Sequence, residues 1–141
     1  MSEKLRVTVD VVLFTVKDAK LHVLLVERAY PPFEGWFALP GGHVEPHEDL
    51  AVAAYRELQE EAFEGSTPTV FLEQLYTFGA PHRDPRGHYV SIAYLGLAPL
   101  TVLNLVQPGS DAKRAFLQPV EDFGSVAFEL GGLAFDHSAI V

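Results

Sequence analysis

The chain has no cysteine, one methionine and one tryptophan. Without cysteine there is no disulfide, no thiolate metal ligand and no cysteine nucleophile. Basic residues are scarce: ten Lys and Arg stand against 19 Asp and Glu, a net charge of −9 over 141 residues. That balance argues against nucleic acid as a partner, because its backbone selects a basic face. It leaves room for a small anionic substrate, since a bound cation inverts the local field. No apolar run is long enough to cross a bilayer. The first residues, MSEKLRVTVD, lack the apolar core of a secretory signal. The expectation is therefore a soluble cytoplasmic protein with no membrane partner. No internal repeat or low-complexity linker interrupts the chain, and its length suits one domain over residues 1–141.

Hydrophobic residues make up 48% of the chain, enough for a packed core. Residues 5–16 alternate at first (Leu5, Val7, Val9 against Arg6, Thr8, Asp10) and then turn apolar on both faces, which predicts a strand buried on both sides in its second half. A turn at residues 17–20 leads to a second strand over 21–28, forming a hairpin. Two prolines and a glycine make residues 30–35 a loop, followed by a short strand at 36–39. Residues 48–64 carry the one long helical pattern. Ala51, Tyr55, Leu58 and Ala62 share one face, while Leu50, Ala53 and Ala54 make a second packed side. Further strands are predicted at 70–78, 89–97 and 114–120, and the segment after them is left unassigned. One helix among several hairpins predicts an α/β or α+β sandwich with a mixed sheet.

The densest chemistry lies in residues 41–61, GGHVEPHEDLAVAAYRELQEE. Glu57, Glu60 and Glu61 share one face near the C-terminal end of the helix. Each opposes the helix dipole at a cost of roughly 0.3–1 kcal/mol, and the like-charge pair Glu57/Glu61 adds a few tenths. A sequence selected for stability alone would put lysines there. Three carboxylates at these spacings can converge on a hard, oxygen-seeking cation. Mg²⁺ fits, and Mn²⁺ is an acceptable substitute. Gly41 and Gly42 let backbone approach where a side chain would clash, and the Gly41 carbonyl is a further candidate ligand. Arg56 can orient a carboxylate through a bidentate pair, and Glu48 sits at the favourable end of the helix dipole. Cation plus phosphate gives pyrophosphate hydrolysis as the natural reaction.

The spacing Gly42, Glu48, Arg56, Glu57, Leu58, Glu60, Glu61 resembles the signature of the Nudix hydrolases. Phe63 and Glu64 depart from it, standing where glycine and an aliphatic residue are usual. Because Gly65 suits a helix end and Phe63 does not, the helix is expected to run past Phe63 to about Gly65. The segment PFEGWFALPGG and the stretch LEQLYTFGAPHRDPRGHYVSIAYLGL resemble an ADP-ribose pyrophosphatase-like branch, which also includes ligand-sensing regulators. LAFDH, residues 133–137, resembles that branch's C-terminal part, where a helix usually follows. The resemblance implies a Nudix-type α/β/α sandwich. It also implies that Glu57 and Glu61 bind metal, that Glu60 binds metal or helps deprotonate water, and that Arg56 and Glu48 support them. Asp111 is a candidate general base outside this set.

For substrate contact the candidates are Arg28, Phe33, Trp36, Arg83 and Arg86. The two aromatics suit base stacking or a plain anchoring role. The arginines flanking Asp84-Pro85 suit a phosphate or ribose clamp, or a structural turn. His43, His47, His82 and His88 read as surface histidines. The expected reaction is Mg²⁺-dependent cleavage of a nucleoside diphosphate linked to another moiety, with ADP-ribose going to AMP and ribose 5-phosphate. A non-catalytic ADP-ribose-like sensor is the rival reading, against which the acidic charge and the lack of a second, DNA-binding domain weigh. A nucleoside triphosphate pyrophosphohydrolase is the third. A homodimer is expected, because apolar residues 9–14 exceed what one helix covers and because the resemblance implies dimers.

Overall fold

The computed structural model describes residues 4–31, 34–63, 69–103 and 112–120. Strand β1 (Arg6–Lys17) turns into β2 (Lys20–Arg28) through Asp18 and Ala19, both at positive φ, 53° and 61°. Positive φ at both central residues is the turn geometry that matches strand twist in a two-residue hairpin. The two strands pair from Lys17↔Lys20 to Phe14↔Val23 and then part. Below that point β1 takes β4 (Gly41–His43) as neighbour at Thr8, Val9 and Asp10. On its side of the gap β2 takes β3 (Phe37–Ala38) at Val26 and Glu27. Residues 37–43 thus form a wedge between diverging strands, and the Val11 N–H donates to the Pro40 carbonyl at 2.8 Å.

The outer strands complete a mixed sheet. β5 (Leu72–Phe78) pairs antiparallel with β6 (Tyr89–Leu97), and β6 runs parallel to β1 from Arg6↔Tyr89 to Phe14↔Leu97. β7 (Ala112–Pro119) lies antiparallel on the far edge of β2. Alternation sorts the strands' side chains onto two faces. Val9, Val11, Leu13, Leu24, Ile92 and Tyr94 pack with helix α1 (Leu50–Ala62) through Ala53, Ala54, Leu58 and Ala62. Val12, Val23, Leu25, Phe37, Leu39 and Ala93 form a second core on the opposite face. The expected α/β fold with a mixed sheet is therefore present. The segment for which a C-terminal helix is implied lies outside the described residues.

Several expectations need correction. The apolar stretch 9–14 is covered inside the chain: Val9, Val11, Val12 and Leu13 are at most 1% exposed, and Phe14 packs against the second core. It therefore gives no ground for a dimer. Helix α1 begins two residues later than expected because Asp49 is its N-cap, accepting from the Ala51 N–H at 2.9 Å. It also ends earlier, at Ala62. Phe63 is the C-cap, at φ −131° and ψ 40°, with its N–H donating to the Gln59 carbonyl. The Phe63 ring is fully buried in the first core. Burial of that ring, worth about 1.5–3 kcal/mol, anchors the helix end, and the backbone of Phe63 itself is not left-handed. Glu64 and Gly65 lie outside the described residues. Tyr55 is not on the buried face but partly exposed, its hydroxyl accepting from the Leu72 N–H. The one-turn helix α2 (Leu100–Leu103), which periodicity does not predict, seats Leu103 in the first core.

Candidate active site

The wedge and helix α1 enclose one side of a cleft of about 400 Å³. Glu57, Glu60 and Glu61 line it from the helix, Gly41, Gly42 and His43 from β4, and Arg28, Arg83, Asp84 and Arg86 from the remaining side. Such a volume suits part of a nucleotide-sized ligand.

Arg56 organises the acidic wall. Its Nε and Nη2 donate to the two oxygens of Glu48 at 2.7 and 2.9 Å. Its Nη1 donates to Glu57 Oε1 at 2.7 Å and to Glu60 Oε2 at 3.3 Å. Nη2 also reaches the His43 carbonyl at 2.9 Å, tying helix to strand β4. The Glu48 hydrogen bond raises the Arg56 guanidinium further above its ordinary value, against the opposing effect of burial. In return Arg56, with the Glu45 N–H, lowers the Glu48 carboxyl to about 2. Glu48 is thus a partner of the arginine rather than a cleft-lining group.

Glu57 and Glu61 are each 7% exposed, whereas the Glu60 side chain is 50% exposed. Glu61 Oε1 accepts from the Gly41 N–H at 3.0 Å. The glycines are required by space, not by unusual φ. A Cβ on Gly42 would lie 2.6 Å from the Glu57 carboxylate carbon. One on Gly41 would lie 2.3 Å from the Val9 carbonyl oxygen and 2.5 Å from Asp10 Oδ1. Two buried carboxylates one helical turn apart, pressed against bare backbone, form an all-oxygen donor set that fits a hard divalent cation. Among the described residues no three His, Asp or Glu side chains already stand together as a metal cage.

The basic wall comes from the end of β2 and the loop between β5 and β6. Arg86 clamps Asp84, Nε to Oδ1 at 3.1 Å and Nη2 to Oδ2 at 2.7 Å, and its backbone N–H caps the same Oδ1. Burial pushes the Asp84 carboxyl up, but these hydrogen bonds outweigh it and the net shift is downward. The Arg86 guanidinium lies 4.6 Å above the Tyr89 ring, which the His43 ring meets edge-on. Burial, and then the nearby Arg86 charge, lower the Arg28 guanidinium. So Arg28, Arg83 and Arg86 do meet in one place, and Arg86 doubles as the structural strut of its loop.

Other candidates fall elsewhere. Trp36 is partly exposed and is not among the residues lining the cleft; its carbonyl accepts from the Arg28 N–H. Phe33 and Asp111 lie outside the described residues. His43 lines the cleft at its mouth, with partial burial and Arg86 holding its imidazole below the usual range. His47 and His82 are exposed, and the His88 ring bonds the Gly79 carbonyl within its own loop. Sequence reading missed Asp10, Thr8 and Tyr30, all of which line the cleft. In sequence, Thr8 and Asp10 look like the polar half of an alternating strand, and only the strand parting at β4 opens that face to the cleft.

The sequence model described as the NUDIX domain matches residues 4–136. The chain belongs to the NUDIX domain family. It is 40% identical over 126 residues to the ADP-ribose pyrophosphatase of Methanocaldococcus jannaschii, covering 89% of this chain and 65% of that protein. It is 37% identical over 92 residues to the ADPR responsive transcriptional repressor NtrR of Acinetobacter baylyi, covering 64% of this chain and 36% of the repressor. The chain thus spans less than two thirds of the length of either relative. Among solved structures, the Nudix domain of Shewanella oneidensis NrtR complexed with ADP-ribose superposes with a TM-score of 0.83 at 33% identity, over 99% of this chain and 85% of that one. Among the described residues of this Nudix chain, no helix is long and apolar enough to cross a membrane.

Proposed function

We propose that this Nudix protein is a Mg²⁺-dependent pyrophosphohydrolase that cleaves ADP-ribose to AMP and ribose 5-phosphate, with Mn²⁺ able to replace Mg²⁺. The observation that carries the reading is a single cleft with carboxylates on one wall and three arginines on the other. A diphosphate bridged by cations is the ligand that satisfies both walls at once. The archaeal relative and the ADP-ribose-bound neighbour support the choice of diphosphate.

Glu57, Glu60, Glu61 and the Gly41 carbonyl would hold the cation. When bound it supplies Lewis-acid polarisation of the phosphate and a more acidic water. Arg56 and Glu48 fix the acids' positions. Glu60, the most exposed of the three, either joins in holding the cation or accepts the proton of the attacking water. One P–O bond of the anhydride breaks as the water oxygen joins phosphorus, and each product leaves as a phosphomonoester. Arg28, Arg83 and Arg86 bind the diphosphate charge. Within residues 1–141 the Nudix fold forms one domain, working in the cytoplasm on a small-molecule nucleotide. The homodimer rests on family resemblance alone.

The test is a panel of ADP-ribose, dinucleotides and nucleoside triphosphates with Mg²⁺, with products resolved by chromatography. Stoichiometric AMP and ribose 5-phosphate from ADP-ribose supports the reading, and preferential turnover of triphosphates overturns it. The repressor relative favours a second reading, a ligand sensor. ADP-ribose binding without turnover, with the acids intact, would select it.

A further inference from the structure

The proposed reaction gives no role to Asp10, a carboxylate only 6% exposed at the cleft wall. Burying an ionised carboxylate is unfavourable unless it is paired. Asp10 lies on β1 at the register position opposite Gly41, and the Ser91 hydroxyl on the parallel neighbour β6 donates to its Oδ2. Arg83 Nη2 stands 4.0 Å from the same Oδ2, and the Arg83 side chain is 5% exposed. That arginine comes from a loop, where a long side chain would otherwise sample many rotamers. Its neighbour Arg86 is clamped by Asp84 at 2.7 Å. Across 4.0 Å the Asp10 carboxylate acts on the Arg83 guanidinium by charge.

We propose that Asp10 is a positioning residue, an anion fixed by Ser91 on the central strands that holds Arg83 in the cleft before substrate arrives. The inference rests on the pyrophosphohydrolase reading for what Arg83 meets, a phosphate of the substrate. The pairing of Asp10 with Arg83 stands apart from that reading. The bare backbone of Gly41 adjoins the same carboxylate, a Cβ there lying 2.5 Å from Asp10 Oδ1 and 2.3 Å from the Val9 carbonyl oxygen.

The test is a double-mutant cycle of Asp10→Asn, Arg83→Met and the double variant, read in two ways. With ADP-ribose and Mg²⁺, Asp10→Asn raises KM about tenfold and leaves kcat within about twofold. Arg83→Met raises KM at least as much, and the double variant shows no further rise. KM effects that multiply, or a wild-type KM in Asp10→Asn, overturn the proposal. The second reading is the unfolding midpoint without substrate. Asp10→Asn removes one negative charge beside the buried guanidinium and lowers Tm by about 5 °C, and adding Arg83→Met recovers part of the loss. Strictly additive Tm losses overturn the pairing. If the wild type turns over no ADP-ribose, the functional reading fails while the Tm cycle still decides for or against Asp10. Should Asp10→Asn fail to fold, Ser91→Ala loosens the carboxylate without removing its charge, and an unchanged KM in that variant overturns the proposal.

Discussion

Substituting Gly42 by alanine separates the chemistry from the fold. The new Cβ would lie 2.6 Å from Glu57 Cδ and Oε1 and 2.7 Å from Oε2. Ordinary contact begins at about 3.4 Å, so the carboxylate must retreat by most of an ångström. It can do so, being the far end of a flexible side chain. The retreat strains its hydrogen bond to Arg56 Nη1, now 2.7 Å. A charge-assisted hydrogen bond is worth roughly 1.5–3 kcal/mol, but this pair is partly exposed and loses only part of it. A discounted cost of about 1 kcal/mol is expected, or roughly 2–4 °C in Tm. If Glu57 holds the cation as proposed, a misplacement of that size costs on the order of 100-fold in rate. The assay pairs Mg²⁺-dependent ADP-ribose hydrolysis with calorimetry. Gly41→Ala is the contrast: its Cβ would meet the Val9 backbone oxygen at 2.3 Å, so it should lose the fold first. Wild-type turnover by Gly42→Ala, or equal destabilisation by the two variants, would refute the reasoning.

The other predictions follow from the same geometry. Glu57→Gln and Glu61→Gln should each remove most Mg²⁺-dependent turnover while circular dichroism stays native; Glu61→Gln keeps an oxygen for the Gly41 N–H and relieves a charge opposing the helix dipole. Glu48 is lowered from its ordinary 4.5 to about 2 by Arg56, so its contribution to stability is complete above about pH 4.5 and is lost as pH falls toward 2. A Glu48→Gln variant should therefore show a flatter decline of Tm with acidification over that window, and an unchanged slope would count against the pair. Replacing Arg83 and Arg86 together by alanine should raise KM for ADP-ribose more than it lowers kcat, with an added stability loss from the released Asp84. Ala19→Gly should raise stability by on the order of 1 kcal/mol, because Ala19 sits at φ 61°; denaturant midpoints would reveal a wrong sign.

Much of the site is legible in sequence because its spacing is helical. Arg56, Glu57, Glu60 and Glu61 fall on one helix, and the glycines before it are close in sequence. Apolar runs bounded by turn residues mark β1 and β6 nearly to their ends, because burial selects such runs. What escaped depends on contacts distant along the chain. Phe63 caps the helix with its ring drawn into the core, a burial that the local periodicity does not announce. β4 is a strand only because β1 has parted from β2. Asp10 and Ser91 are 81 positions apart and meet only through a parallel strand pair. Trp36 is a large aromatic next to the signature, yet it is not among the residues that line the cleft.

The parting of β1 from β2 has a consequence for how the molecule opens. In many enzymes the groups that meet the ligand ride on loops that unfold locally, well below the global free energy. Here the glycine segment is bonded into the sheet on both sides, through Val26 and Glu27 on one strand and Thr8 to Asp10 on the other. The Val11 amide, held by Pro40, lies at the centre of that lattice. Native-state hydrogen exchange should therefore show the amide of Val11 exchanging with the slowest strands of the core, so that the floor of the cleft is lost only when the whole sheet melts.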